Sequence, residues 1–375
     1  MGTDIKILIG GDFSPRTKVG NMFKSNKFEE VLHDLKEVAS AHDYSIVNFE
    51  TTVADETDSP IEKHGPNLKT GEYSIEALEW AGIDMVTLAN NHIFDYGQSA
   101  FEKTLSALES HGINTVGGGK NINEVKNIRT VEIKGKKIAI INCAEHEFCI
   151  AAEDHGGANP LDPISQFYKI REAREKADYV IVIVHGGHET FPFPSIRMKE
   201  TYRFFIDCGA DAVINHHQHC FSGYEVYKGK PIAYGLGNLI FDIDNQSENW
   251  YEGCLVSLGL GEDGISLRLI PYIQCKEKPS INLLSDTSDF DNRVQQLNDV
   301  IQSDEKLRQM TDEFYEKRRK YMISQLQPYS NRYLMALYYR NILHSMISDK
   351  KRLGLLNFVT CESHLDVFRH ILNKS

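Results

Sequence analysis

Five segments of this chain place polar and ionisable residues directly after short apolar runs. In an α/β sheet such positions fall at the carboxyl ends of strands, where ligands bind. The first is Ile9-Gly10-Gly11-Asp12, where a carboxylate after a glycine turn can approach a cation closely; a turn or helix-capping aspartate is the competing reading. The second is Val47-Asn48-Phe49-Glu50-Thr51, where strand alternation puts Asn48 and Glu50 on one face, unless this is a plain exposed strand end. The third, Leu88-Ala89-Asn90-Asn91-His92-Ile93-Phe94-Asp95, brings two amides, an imidazole and a carboxylate to the end of a buried strand. Burying such groups without partners is costly, so they must meet each other, a metal or a substrate. The fourth is Val184-His185-Gly186-Gly187-His188-Glu189, in which His185 is the better ligand candidate and His188 and Glu189 the weaker ones. The fifth is Asn215-His216-His217-Gln218-His219, with three histidines in four positions. Neutral imidazole ligates zinc, manganese, iron and nickel, and His217 and His219, two apart, aim at one site if the loop is extended.

Together these segments offer carboxylates, an amide oxygen and several imidazoles. Mixed oxygen and nitrogen donors with little sulfur suit two first-row divalent ions (manganese, zinc or iron) rather than a structural zinc. Such a pair can clamp the attacking and leaving oxygens of a displacement and lower the pKa of water. His92, next to Asn91, is placed to protonate a leaving group. The seven cysteines form no C-x-x-C pair and their number is odd. That pattern fits free thiols in a reducing compartment, and Cys220 reads as packing rather than as a ligand.

The elements that must hold these residues follow from the alternation of short apolar runs with amphipathic stretches. Strands are expected at Ile5–Ile9, Ser45–Phe49, Met85–Ala89, Lys137–Asn142, Tyr179–Val184, Ala212–Ile214, Ile232–Tyr234 and Leu255–Leu258. Helices are expected at Phe28–Ala39, Ser74–Ala81, Phe101–His111, Ser165–Ala177 and Ile196–Cys208. Lys134-Gly135-Lys136 and Lys228-Gly229-Lys230 mark two hairpins. From about residue 285 onward only helical periodicity appears, at Val294–Ile301, Leu307–Ile323, Tyr333–Ile347 and Leu365–Leu372. The expected organisation is a catalytic domain over 1–285 and a helical extension over 286–375. In the extension, Lys317-Arg318-Arg319-Lys320 reads as a solvated helix face.

Apolar residues make up 41% of the chain, charged residues 25%, and the net charge is −12, ordinary values for a cored globular protein. The acidic balance argues against a partner bound by neutralising nucleic-acid phosphates. No segment approaches the length of a membrane span, and the N-terminus reads as neither a signal peptide nor a lipidation site, which points to the cytoplasm.

In order along the chain, Gly11-Asp12, Asn48-x-Glu50, the Leu88 to Gly97 segment and His185-x-Gly-x-Glu189 resemble the motifs of CapA-type proteins of poly-γ-glutamate capsule biosynthesis. The Gly209 to His219 segment and Tyr234-Gly-Leu-Gly-Asn-Leu-Ile-Phe-Asp242 complete the series. The resemblance covers residues from about 4 to about 275, and that family is similar in fold to calcineurin-like metallophosphoesterases. It implies an α/β fold: a four-layer α/β/β/α sandwich of two mixed β-sheets flanked by helices. It also implies Asp12, Glu50, Asn91, His185, His217 and His219 as metal ligands, with Glu50 bridging, His92 as the catalytic histidine and Asp95 orienting it. Asn48, Asn90, His188, Glu189, His216 and Asn238 remain as supporting or substrate-facing candidates, although the glycine-rich turn at Tyr234–Asn238 is equally well explained by backbone packing.

The chain departs from the phosphoesterase pattern at Ser14, where a histidine is usual, at Asn215 and Gln218 around the histidine cluster, and at Gly235. The expected function is metal-dependent hydrolysis of a phosphoester or a γ-glutamyl amide in capsule-type polymer biosynthesis or processing. The competing expectation is a non-catalytic accessory protein that binds polymer or a synthase partner. The expected partners are a small-molecule or polymer substrate, with the helical C-terminus serving self-association or a synthase.

Overall fold

The strand Ile5–Phe13 (β1) faces two hydrophobic cores at once: Ile5, Ile7 and Ile9 enter one, Leu8 and Phe13 the other. That follows from the two-residue period of a strand buried on both faces. The structure is a computed structural model describing residues 5–262, 264–329, 331–360 and 364. After β1 come α1 (Thr17–Lys24), α2 (Phe28–Ser40), β2 (Tyr44–Phe49), the short β3 (Thr52–Val53) and β4 (Lys69–Thr70), then α3 (Tyr73–Trp80). β5 (Met85–Thr87), α4 (Gly97–Ser110), β6 (Asn114–Val116) and β7 (Gly118–Gly119) follow. The hairpin of β8 (Arg129–Ile133) and β9 (Lys136–Ala144) precedes β10 (Gly157–Ala158), α5 (Pro163–Lys176), β11 (Tyr179–His185), α6 (Ile196–Cys208) and β12 (Ala212–His216). A second hairpin, β13 (Tyr224–Tyr227) and β14 (Lys230–Ala233), leads to β15 (Asn238–Ile240) and α7 (Glu248–Tyr251). The long pair β16 (Glu252–Gly261) and β17 (Gly264–Gln274), β18 (Ile281–Leu283) and α8 (Ser288–Gln302) come next. The last elements are α9 (Asp304–Gln325), α10 (Arg332–Tyr339) and α11 (Asp349–Thr360).

The first sheet runs β18-β17-β16-β1-β2-β5-β6, with β15 also paired to β1; the second runs β13-β14-β12-β11-β9-β8. Both are mixed. Between them lies a core of Ile7, Ile9, Ile46, Met85, Ile138, Ile140, Ile181, Ile183 and Ile214. Each such side chain, fully buried, stabilises the fold by roughly 1.5–3 kcal/mol. The outer face of the first sheet packs on α1 to α4 through Leu8, Val47, Val86, Phe23, Leu32 and Leu78. On the second sheet, α5 lies against β9 and β11, and α6 against β12 and β14. The chain thus adopts the expected four-layer α/β/β/α sandwich. Both hairpins turn at the expected residues, with positive φ at Lys134 (49°), Gly135 (76°), Lys228 (51°) and Gly229 (77°), as a two-residue turn matching strand twist requires.

The chain divides into two compact units, Met1–Arg308 and Gln309–Ser375. The division between them falls within α9. α8 buries Phe290, Val294, Leu297 and Ile301, and the Asn298 side chain accepts a hydrogen bond from the Tyr224 amide at 2.8 Å. The helix expected over Tyr333–Ile347 stops at Tyr339, because Asn341 adopts a left-handed φ of 60° and its amide turns back onto the Tyr338 carbonyl. The expected helix at Leu365–Leu372 lies outside the described residues. Among the described residues, no helix is long and apolar enough to cross a membrane.

Candidate metal centre

Parallel pairing of β1, β2 and β5 in one sheet, and of β9, β11 and β12 in the other, brings their carboxyl ends to one edge of the sandwich. In register, Asp12 lies opposite both Asn48 and Asn238. The strand needs glycine just before Asp12: a Cβ on Gly11 would sit 1.9 Å from the Gly237 carbonyl oxygen. This close approach presses the end of β1 against the segment leading into β15.

At that edge, donor atoms from Glu50, His185 and His217 converge within 4.8 Å of one another, and so do those of Asp12, Glu50 and His219. All five residues are buried, and Glu50 belongs to both groups. The Asn91 side-chain oxygen joins the first group, 2.9 Å from His185 Nε2, which is itself 3.0 Å from His217 Nδ1. Glu50 carries the clearest signal. It is fully buried, and neither carboxylate oxygen has a hydrogen-bond partner. A buried carboxylate without donors costs more than a well-packed apolar group would, so this environment fits a cation on the carboxylate. His217 and His219 strengthen the case, with left-handed φ values of 89° and 52°. Such strain costs on the order of 1 kcal/mol or more per residue and persists where the surroundings impose it. The residues present therefore fit divalent metal ligation by mixed oxygen and nitrogen donors.

Supporting residues hold these donors in place. Asn48 donates to Asp12 Oδ1 at 2.8 Å and accepts from Thr87 Oγ1 at 3.1 Å. The His217 amide donates to Asp12 Oδ2 at 3.2 Å. Nδ1 of His219 donates to the Asn238 oxygen at 2.9 Å, which turns Nε2 toward Glu50 as the nitrogen available to a metal once deprotonated. Asn90 fixes the loop itself, donating to the Phe49 carbonyl at 2.9 Å and accepting from the His92 amide at 3.0 Å. His92 Nδ1 donates to Asp95 Oδ2 at 2.7 Å, and Asp95 is fully buried.

Electrostatics separate the donors. Burial opposes ionisation of Asp12, but the hydrogen bond from His219 and the nearby His185 outweigh it and hold the carboxyl below its usual range. Burial, then the Asp12 charge, pushes the Glu50 carboxyl well above its usual range. Burial and the neighbouring His217 keep the His185 imidazole well below its ordinary value. His219 resists burial: Glu50 and Asp12 push it up to about 10. The proton held by the Glu50–His219 pair is one that a divalent cation would displace. Burial lowers His92 against the opposing pull of Asp95.

Not every candidate residue joins the centre. His216 turns away, its Nε2 donating to the Gly10 carbonyl at 3.0 Å, and so ties β12 to β1. His188, half-buried, and Glu189, exposed, enter neither donor group. Gln218 spends its amide nitrogen on the Phe191 and Phe193 carbonyls. Ser14 is buried and its hydroxyl has no partner. A Cβ at Gly235 would come within 2.6 Å of Ser222 Oγ, which accounts for glycine there.

Two residues absent from the sequence expectations reach the centre. Glu147 accepts from the Asn91 amide nitrogen at 2.9 Å and lies 3.8 Å from His217 Nε2. It follows β9 closely, and the strand-end reasoning applied elsewhere would have found it. The Lys63 ammonium, on a side chain only 2% exposed, pairs with Asp95, donates to the Asn91 carbonyl at 3.2 Å and lies 3.2 Å from His92 Nδ1. It comes from an irregular segment that no periodicity marks.

The family model described as bacterial capsule synthesis protein PGA_cap matches residues 6–243. Capsule biosynthesis protein CapA of Bacillus anthracis is 30% identical over 236 residues, covering 60% of this chain and 56% of that protein. A probable polyglutamine synthesis accessory protein of Mycobacterium tuberculosis is 26% identical over 265 residues, covering 66% and 65%. The match therefore spans less than two thirds of either relative. Among solved structures, a 5'-nucleotidase precursor from Thermus thermophilus aligns at a TM-score of 0.45 and 12% identity, over 72% of this chain and 54% of that one.

Proposed function

The chain belongs to the bacterial capsule synthesis protein family, and from that membership we propose that it is a metal-dependent hydrolase acting on a capsule-type, poly-γ-glutamate-related substrate. The observation that carries this reading is Glu50: a buried carboxylate, free of hydrogen bonds, common to two converging donor groups. Asp12, Glu50 and His219 would hold one divalent ion, and Glu50, Asn91, His185 and His217 the other. Such ions supply Lewis-acid polarisation and activation of water. The reaction is hydrolysis: water attacks a phosphoester or γ-glutamyl carbonyl, and the leaving oxygen or nitrogen takes up a proton. His92 is the proton donor, with Asp95 on its Nδ1 aiming Nε2 at the leaving group. Lys63 neutralises Asp95 from the other side. An anionic substrate arriving beside His92 favours its charged form, offsetting the effect of burial.

The test is elemental mass spectrometry on purified wild type and His217→Ala, followed by turnover of phosphoesters and γ-glutamyl amides with manganese, zinc or iron. Bound metal and metal-dependent turnover, both lost in the variant, are expected. Wild-type protein that takes up no metal when incubated with these ions would overturn the reading.

A second reading is a non-catalytic accessory role. The mycobacterial relative is named as an accessory protein. The C-terminal unit exposes Leu334, Ile342, Met346, Leu353 and Leu356, the kind of surface a synthase partner would cover. On this reading, a chain truncated after Arg308 loses co-purification with the synthase but keeps its metal.

A further inference from the structure

A cavity of about 550 Å³ opens among segments that lead away from the metal centre. Arg16, Lys24, Asn67, Lys69, Tyr73 and Tyr96 line it. Its walls are continuations of the segments that build the centre. Arg16 follows Asp12 out of β1, and Tyr96 follows Asp95. Asn67 donates to the Asp95 carbonyl at 3.0 Å. One wall of the cavity is thereby tied to the backbone of Asp95, the residue that holds His92.

The cations of this cavity are under-neutralised. Arg16 is half-buried; its backbone amide bonds Asp242, but among the described residues no hydrogen bond or ion pair engages its guanidinium. The Lys24 ammonium lies over the Tyr73 ring at 5.3 Å with no carboxylate partner among the described residues. Lys69 lies over Tyr96 at 5.6 Å, and its acidic neighbour, Glu56 at 3.5 Å, is 96% exposed. Of the acidic lining residues, Asp55 is already paired with Lys103 at 2.6 Å. In a chain of net charge −12, a concave surface with two cations that have no carboxylate partner among the described residues runs against the overall field. A guanidinium fork matches planar or tetrahedral oxyanions, and the tyrosine rings give a surface for the chain that carries them. The volume is that of a small-ligand site.

We propose that this cavity is an oxyanion subsite of the metal centre, in which Arg16 and Lys24 take a carboxylate or phosphate group of the substrate remote from the bond that is cleaved. The proposal rests on the hydrolase reading for the identity of the reacting bond, but not for binding. A remote contact of this kind adds affinity without touching the reacting atoms, so its loss raises KM and leaves kcat near the wild-type value.

The experiment is isothermal titration of two probes, γ-linked triglutamate and inorganic tripolyphosphate, into chelator-treated full-length protein. The proteins compared are wild type, Arg16→Gln, Lys24→Gln, Arg16→Lys and His217→Ala, with melting temperature as a folding control. The expected result is binding to wild type and His217→Ala, a roughly tenfold loss in Arg16→Gln and in Lys24→Gln, and partial recovery in Arg16→Lys. The tighter probe identifies the oxyanion as carboxylate or phosphate. Binding unchanged in both glutamine variants, binding lost only in His217→Ala, or no binding to wild type at millimolar probe would each overturn the proposal. Because metal and turnover are absent from this titration, failure of the hydrolase reading leaves its result standing.

Discussion

The Asn91 amide is fixed from both ends: its nitrogen donates to Glu147 at 2.9 Å, and its oxygen lies 2.9 Å from His185 Nε2. Glu147 thereby decides which atom of the amide faces the donor cluster. Glu147→Ala is expected to weaken metal binding by about 10–100-fold, the usual scale for a partner that orients a ligand. Glu147→Gln still offers an oxygen to Asn91 and is expected to stay close to wild type. Titration calorimetry with manganese distinguishes the two.

Glu50→Gln removes the carboxylate that the two donor groups share. Metal content is expected to fall to well below one ion per chain by elemental analysis. The metal-free variant is expected to melt at or above the wild-type temperature, since the native carboxylate oxygens are buried without hydrogen bonds among the described residues. A large drop in melting temperature would mean that Glu50 is structural.

The centre also predicts a pH dependence. Metal requires Glu50 ionised and His219 neutral, whereas in the metal-free centre the two share a proton: burial and Asp12 favour it on Glu50, and once Glu50 is ionised it and Asp12 push His219 up to about 10. Affinity for manganese is therefore expected to rise with pH from 6 to 9, with proton release visible in buffers of different ionisation enthalpy. For the metal-free protein the sign is opposite. A histidine raised above its unfolded value of 6.5 contributes stability that is complete below that pH and lost as pH rises through about 10. Metal-free protein should lose melting temperature over that window, and manganese should flatten the slope.

Lys63 and Asp95 form an ion pair with side chains 2% and 0% exposed. Lys63→Met strands the Asp95 charge, and a cost of about 3–5 kcal/mol is expected in chemical denaturation. The double variant Lys63→Met, Asp95→Asn should recover part of it. No recovery would mean that the lysine acts through packing.

Much of this arrangement was legible in the sequence, because strand ends are marked by composition. A run such as Tyr179–Val184 followed by a histidine and glycines announces both a buried strand and what it presents. Sequence spacing favoured His217 and His219 over His216 on the premise of an extended loop; what it did not show is the backbone that achieves this, since strand register sends His216 to the Gly10 carbonyl while left-handed φ at His217 and His219 turns those rings to the centre. Lys63 left no trace because irregular segments have no period, and its partners are 28 to 32 residues away. β17 was missed because its exposed face interrupts the apolar run, and the end of α10 because it is set by one asparagine with positive φ.

The left-handed backbone of His217 and His219 sets thermodynamic selection against catalytic selection. Glycine at either position would relax the loop while deleting a donor. A mutant library scored only for heat resistance would therefore enrich glycine at 217 and 219, and its most robust members would be the ones with the centre dismantled.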